Sequence, residues 1–114
     1  MKILIIDDSN LLQTRLKSAI LTLDATIQIS QSRNCKEALE QCSSFIPDTI
    51  ILDIALPDGS GIDLLRSFKR NGSTVRIIVL TNYPSSEFKK TCLDLGADQF
   101  FDKSNINQLL KIII

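Results

Sequence analysis

The chain has 114 residues, enough for one domain around one core, and no apolar run approaches the ~20 residues of a membrane span. With 13 basic and 13 acidic residues its formal net charge is zero, and the absence of a basic stripe argues against direct nucleic-acid binding. It contains no histidine, which excludes Ser-His-Asp and Cys-His catalysis and the usual zinc sites.

The chain opens on Met1-Lys2 and runs straight into aliphatic residues, so no signal peptide is expected. A strand is predicted over 2–7 from Ile3-Leu4-Ile5-Ile6, and Asp7-Asp8 follow it. Ser9 is the expected N-cap of a helix over 10–22, where Leu11, Leu12, Leu16, Ala19, Ile20 and Leu23 fall at helical spacing. Thr26-Ile27-Gln28-Ile29-Ser30 alternates, which predicts an edge strand over 26–31. A narrow stripe of Ala38, Leu39 and Cys42 predicts a helix over 35–44.

The run Thr49-Ile50-Ile51-Leu52 predicts a strand over 48–53, with Asp53 at its end. The segment 53–61 that follows is rich in turn formers, Asp58-Gly59 among them. Ile62, Leu65 and Phe68 predict a helix over 61–71, ended by Asn71-Gly72. A fourth aliphatic strand is expected over 75–80, ending at Thr81, and a helix over 85–94 with Phe88, Cys92 and Leu93, followed by Gly96. A last strand over 98–102 holds Phe100 and Phe101, and Lys103 follows it. The final helix, 104–112, carries Ile106, Leu109, Leu110 and Ile113 on one face, with Ser104 as its cap. Its aliphatic end suggests a shortened chain.

Strands alternating with crossover helices predict an α/β doubly wound parallel sheet. Such sheets carry their sites at the carboxyl ends of the strands. Asp7, Asp8, Asp53, Thr81 and Lys103 all fall there, although they are far apart in sequence. Each also has an ordinary reading. An acid can favour the positive end of a following helix, Asp53 can shape a turn, Thr81 can cap one, and Lys103 can be solvated. Clustered carboxylates repel unless a proton or divalent cation intervenes, and Mg²⁺ suits oxygen ligands while leaving room for a phosphoryl oxygen. A carboxylate can also attack phosphorus. Cys35, Cys42 and Cys92 are odd in number and lack CxxC spacing, which predicts reduced structural thiols and a cytoplasmic protein.

Taken together, these residues resemble the receiver domain of bacterial two-component response regulators, over essentially the whole chain 1–114. The resemblance implies a flavodoxin-like (βα)5 sandwich with a five-stranded parallel sheet in the order 2-1-3-4-5, as one receiver domain with no output domain. It makes Asp53 the phosphoacceptor, Asp8 a direct ligand of Mg²⁺ and Asp7 a ligand mainly through water, with the Ala55 backbone carbonyl completing the metal site. Thr81 becomes the switch hydroxyl, Phe100 the switch aromatic and Lys103 the conserved-type lysine. Pro57, Gly61 and Gly96-Ala97-Asp98 fit as well. A sensor histidine kinase would donate the phosphoryl group, and a downstream protein or a missing output domain would read the change. The chain is then a signalling switch that assists its own phosphotransfer and dephosphorylation. The family usually has proline after the lysine; here it is Ser104. Tyr83, two residues after Thr81, is expected to shield the acyl phosphate from water. The stretch Leu80-Thr-Asn-Tyr-Pro84, with Lys103-Ser104, is similar to that of regulators carrying a helix-turn-helix.

Three other readings compete. Haloacid-dehalogenase-type phosphatases use an aspartyl nucleophile with Mg²⁺ but need a second acid two residues later, where this chain has Ala55. A flavodoxin-like binding module needs a Gly-rich phosphate loop, absent here, and a phosphorylated cofactor would meet an acidic site. A degenerate receiver acting only by protein interaction sits poorly with the complete Asp-Asp-Asp-Thr-Lys set.

Overall fold

The computed structural model describes residues 1–70 and 73–114. Five parallel strands form the sheet: β1 (Lys2–Ile6), β2 (Gln28–Ser32), β3 (Thr49–Leu52), β4 (Arg76–Thr81) and β5 (Gln99–Asp102). Their order is β2-β1-β3-β4-β5, as the resemblance implies. Helices α1 (Asn10–Leu23), α2 (Cys35–Phe45), α3 (Gly61–Lys69), α4 (Ser86–Asp94) and α5 (Ile106–Ile112) make the crossovers and the end.

The sheet divides the core in two because successive strand residues face opposite sides. Leu4, Ile6, Ile50, Leu52, Ile77 and Val79 meet Ala38, Leu64, Leu65, Phe68 and Cys92 from α2, α3 and α4. Ile3, Ile5, Ile51, Ile78 and Leu80 meet Leu16 and Ile20 of α1, Leu109 of α5, and Ile113 just beyond it. β1, β3 and β4 are thus covered on both faces, which is why they read as unbroken aliphatics. Each such side chain contributes roughly 2 kcal/mol by leaving water. The alternating β2 lies at one edge, as expected.

Several local expectations give way to backbone hydrogen bonding. β2 starts at Gln28 rather than 26, because the Thr26 amide and hydroxyl both donate to Asp24 Oδ1, at 2.9 and 2.6 Å, and close a turn. The segment after Asp53 contains a two-residue antiparallel hairpin, Ala55–Leu56 with Gly59–Ser60. Ser104 does not cap the last helix. A 3₁₀ turn (Lys103–Asn105) intervenes, and Asp102 caps it by accepting the Ser104 amide at 2.9 Å, a bond that a proline could not make. The expected Asn71-Gly72 stop lies outside the described residues; α3 ends at Lys69. The apolar stripes are narrower than predicted: Leu11, Leu23, Leu39, Phe88 and Leu93 are exposed, while Gln13 is buried.

Two glycines are required. Gly96 ends α4 at φ +108°. At Gly61 a Cβ would stand 2.2 Å from the Asp53 carbonyl oxygen and 2.6 Å from the Ile54 Cα. The first turn of α3 therefore rests directly on the main chain of Asp53 and Ile54, and the Gly61 amide donates to the Ile54 carbonyl at 2.7 Å.

Candidate functional site

The strand register builds the site. Ile6 pairs with Leu52 across β1 and β3, so Asp7 and Asp53, the next residues, emerge side by side. The Asp53 amide donates to the Ile6 carbonyl at 2.9 Å, and the Asp7 amide to the Ser32 carbonyl at 3.0 Å. Both carboxylates are buried, whereas Asp8 is exposed. Carboxylate oxygens of Asp7, Asp8 and Asp53 lie within 4.8 Å of one another.

Lys103 reaches this group from the residue after β5. Its Nζ stands 2.8 Å from Asp7 Oδ2 and 3.0 Å from Asp53 Oδ2. Burial pushes the Asp53 carboxyl above its usual value; the Lys103 hydrogen bond opposes this and the Asp7 charge adds to it. Burial alone would lower the Lys103 ammonium, but its bonds to Asp7 and Asp53 outweigh that, and its pKa is raised. With all four groups ionised, three carboxylates face a single ammonium. The excess is negative and made of hard oxygen donors, which fits a divalent cation.

The two remaining oxygens differ in how firmly they are held. Asp53 Oδ1 accepts only a long bond from the Ala55 amide, 3.3 Å, and Asp7 Oδ1 accepts the Ser9 amide at 2.8 Å. Ala55 is exposed at the head of the hairpin, two residues beyond Asp53. Thr81 is fully buried at the carboxyl end of β4, the strand between β3 and β5. Its Oγ1 accepts the Tyr83 amide at 3.0 Å, so its hydroxyl bonds within its own loop and not to the carboxylates. The Tyr83 side chain is exposed. Phe100 is half-buried and packs against the core beneath α2, α3 and α4, while Phe101 packs against the opposite core. Of the residues singled out in the sequence, Asp7, Asp53 and Lys103 form one contact network, and Asp8 brings a carboxylate oxygen within 4.8 Å of those of Asp7 and Asp53; Thr81 stands at the same edge, and Phe100 pairs with Val79, two residues before Thr81.

One residue at this edge escaped the sequence reading. Gln13, on α1, is 3% exposed, and its Nε2 lies 3.0, 3.1 and 2.9 Å from the carbonyls of Ile5, Asp7 and Ser32. The available signal was a polar residue on the inward face, at the i, i+3, i+7 spacing of Gln13, Leu16 and Ile20.

Comparison with known proteins gives a consistent picture. Residues 3–114 match the family described as the response regulator receiver domain. The chain is 36% identical over 103 residues to the transcriptional regulatory protein PhoP of Escherichia coli K12, covering 90% of this chain and 45% of that protein. It therefore spans less than half the length of that relative. A crystal structure of the signal receiver domain of a DNA-binding response regulator (merR) from Colwellia psychrerythraea 34H superimposes with TM-score 0.94 at 23% identity, covering 99% of this chain and 94% of that one. A response regulator from Burkholderia pseudomallei, solved with a phosphorylated aspartic acid, calcium ion and citrate, superimposes with TM-score 0.81 at 24% identity, covering 97% of this chain and 66% of that one.

Proposed function

The chain belongs to the receiver-domain family of two-component response regulators, and on that premise we propose that Asp53 is its phosphoacceptor and Mg²⁺ its cation. The observation that carries this reading is the bridge from Lys103 to both Asp7 and Asp53 beside the three clustered carboxylates. The donor is the phosphohistidine of a sensor histidine kinase; this chain has no histidine of its own. An Asp53 oxygen forms the new P–O bond as the P–N bond to the donor imidazole breaks, and the imidazole nitrogen keeps the electron pair. Oδ1 suits the attack, because Oδ2 is held by Lys103.

Asp7, Asp8, Asp53 and the Ala55 carbonyl are the groups that would hold Mg²⁺. Such a cation supplies positive charge against the phosphoryl oxygens. Lys103 adds a point charge, and Thr81 turns its hydroxyl from the Tyr83 amide toward the new phosphoryl group. Phe100 follows Thr81, shifting an equilibrium between two surface states. The calcium ion and phosphorylated aspartic acid of the Burkholderia pseudomallei regulator support this chemistry. Ala55 stands where a phosphatase of the haloacid-dehalogenase type needs its second acid, which favours a switch over an enzyme. We read 1–114 as one receiver domain acting in the cytoplasm, on the strength of its three free cysteines and of having no described helix able to cross a membrane. Its output goes to a downstream protein or to a further domain, as the greater length of PhoP suggests.

Intact-protein mass after incubation with acetyl phosphate tests the reading. One Mg²⁺-dependent phosphoryl adduct is expected on the wild type and none on Asp53→Asn. An adduct that persists in Asp53→Asn would move the acceptor elsewhere.

A further inference from the structure

An amide in a protein core is costly unless its polar atoms find partners. Gln13 shares the inward face of α1 with Leu16 and Ile20, a position the packing would give to an aliphatic residue. Its Nε2 instead lies within 3.1 Å of three carbonyls at the carboxyl ends of β1 and β2. Two N–H groups serve three acceptors, so at least one proton is shared. The amide cannot be reversed, because Oε1 would then face three carbonyl oxygens.

The arrangement leaves a deficit nearby. Gln13 Oε1 and Ser32 Oγ are both buried without a partner among the described residues. An aliphatic side chain would avoid the first of these, but it would leave the Asp7 carbonyl without the Gln13 donor. That carbonyl belongs to the peptide joining Asp7 to Asp8. Its direction fixes how the two carboxylates leave the backbone, because Asp7 is also tied through its amide to Ser32 and through Oδ1 to the Ser9 amide.

We propose that Gln13 is a positioning residue for the acidic pair: by holding the Asp7 carbonyl it orients the Asp7–Asp8 peptide and sets the affinity of the site for its divalent cation. The inference rests on the reading of Asp7, Asp8 and Asp53 as that cation's ligands. Partners that orient metal ligands typically carry tenfold or more of the affinity.

Calorimetric titration with Mg²⁺ of the wild type, Gln13→Met and Leu16→Ala tests it. Gln13→Met keeps the length and loses the donors. Leu16→Ala destabilises the same helix without touching the carbonyls. Gln13→Met is expected to weaken Mg²⁺ binding about tenfold, with Leu16→Ala staying within about twofold of wild type. The Mg²⁺ concentration giving half-maximal phosphorylation by acetyl phosphate should rise in step, with the saturated rate unchanged. A rise of about threefold or more, exceeding that of Leu16→Ala, supports the role. A smaller rise, or an equal one in both variants, overturns it. If Gln13→Met does not fold, Gln13→Asn, which withdraws the amide by one methylene, is held to the same criterion. Absence of saturable Mg²⁺ binding by the wild type would instead bring down the cation-site reading itself.

Discussion

The two edges of the sheet use the same residue for opposite ends. At the amino edge Asp48 and Asp98 each stand just before a strand, and each carboxylate accepts a neighbouring strand's amide. Asp48 Oδ2 takes Lys2 N–H and Asp98 Oδ2 takes Ile77 N–H, both at 2.8 Å. These acids are exposed and extend the ladder by one rung. At the carboxyl edge Asp7 and Asp53 stand just after a strand, are buried, and lean on one lysine. A carboxylate satisfied by backbone amides is structural. One that is buried beside other acids and shares a single ammonium with them stores unfavourable charge that a cation or phosphoryl chemistry can use.

The largest test of this contrast removes the shared cation. Lys103→Met leaves Asp7 and Asp53 buried without their ammonium, and should cost about 3 kcal/mol in urea unfolding without Mg²⁺. Added Mg²⁺ should recover part of it. A loss no greater than that of an exposed lysine would mean the carboxyl edge is not strained. At the other edge Asp48→Ala should cost about 1 kcal/mol by the same measurement, with phosphoryl uptake at the wild-type rate. Impaired uptake there would blur the division between the edges.

The pH dependence sharpens it further. Asp53 has a raised pKa in the folded chain, so its protonation favours folding. That contribution is complete below the ordinary carboxylate value and is lost as pH rises through the raised one. Above that window, without cation, the charge opposes the fold. Asp53→Asn should then melt higher than wild type at neutral pH, by roughly 3 °C, and the gap should close as pH falls toward about 4. A gap independent of pH in thermal melts would refute the assignment. The smallest effect concerns Ile46, the one non-glycine at positive φ among the described residues, at +51° after α2. A β-branched residue is disfavoured there, and Ile46→Gly should gain about 0.5 kcal/mol in urea unfolding while leaving uptake alone.

Much of this was legible in the residues. Strands covered on both faces must be aliphatic throughout, so β1, β3 and β4 announce themselves, and the acids and Thr81 mark their ends. What was hidden depends on hydrogen bonds between distant segments. Nothing local to Gln13 tells that three carbonyls wait across the α1 interface, or that Asp48 and Asp98 brace neighbouring strands. Ser104 looked like a cap because hydroxyls usually cap; Asp102 two residues earlier accepts its amide instead. Leu11 and Leu12 both fit a broad apolar stripe, but adjacent residues are about 100° apart on a helix, and Leu11 is the one turned to solvent.

The missing side chain of Gly61 has a mechanical consequence. With α3 seated directly on the backbone of Asp53 and Ile54, the main chain behind the Asp53 carboxylate has little room to recoil. The site is then a vice with one fixed jaw. A rearrangement that accompanies a new group on Asp53 is thereby turned away from α3 and toward the sides of the site that no helix backs so closely, among them the ends of β4 and β5 that carry Thr81 and Lys103.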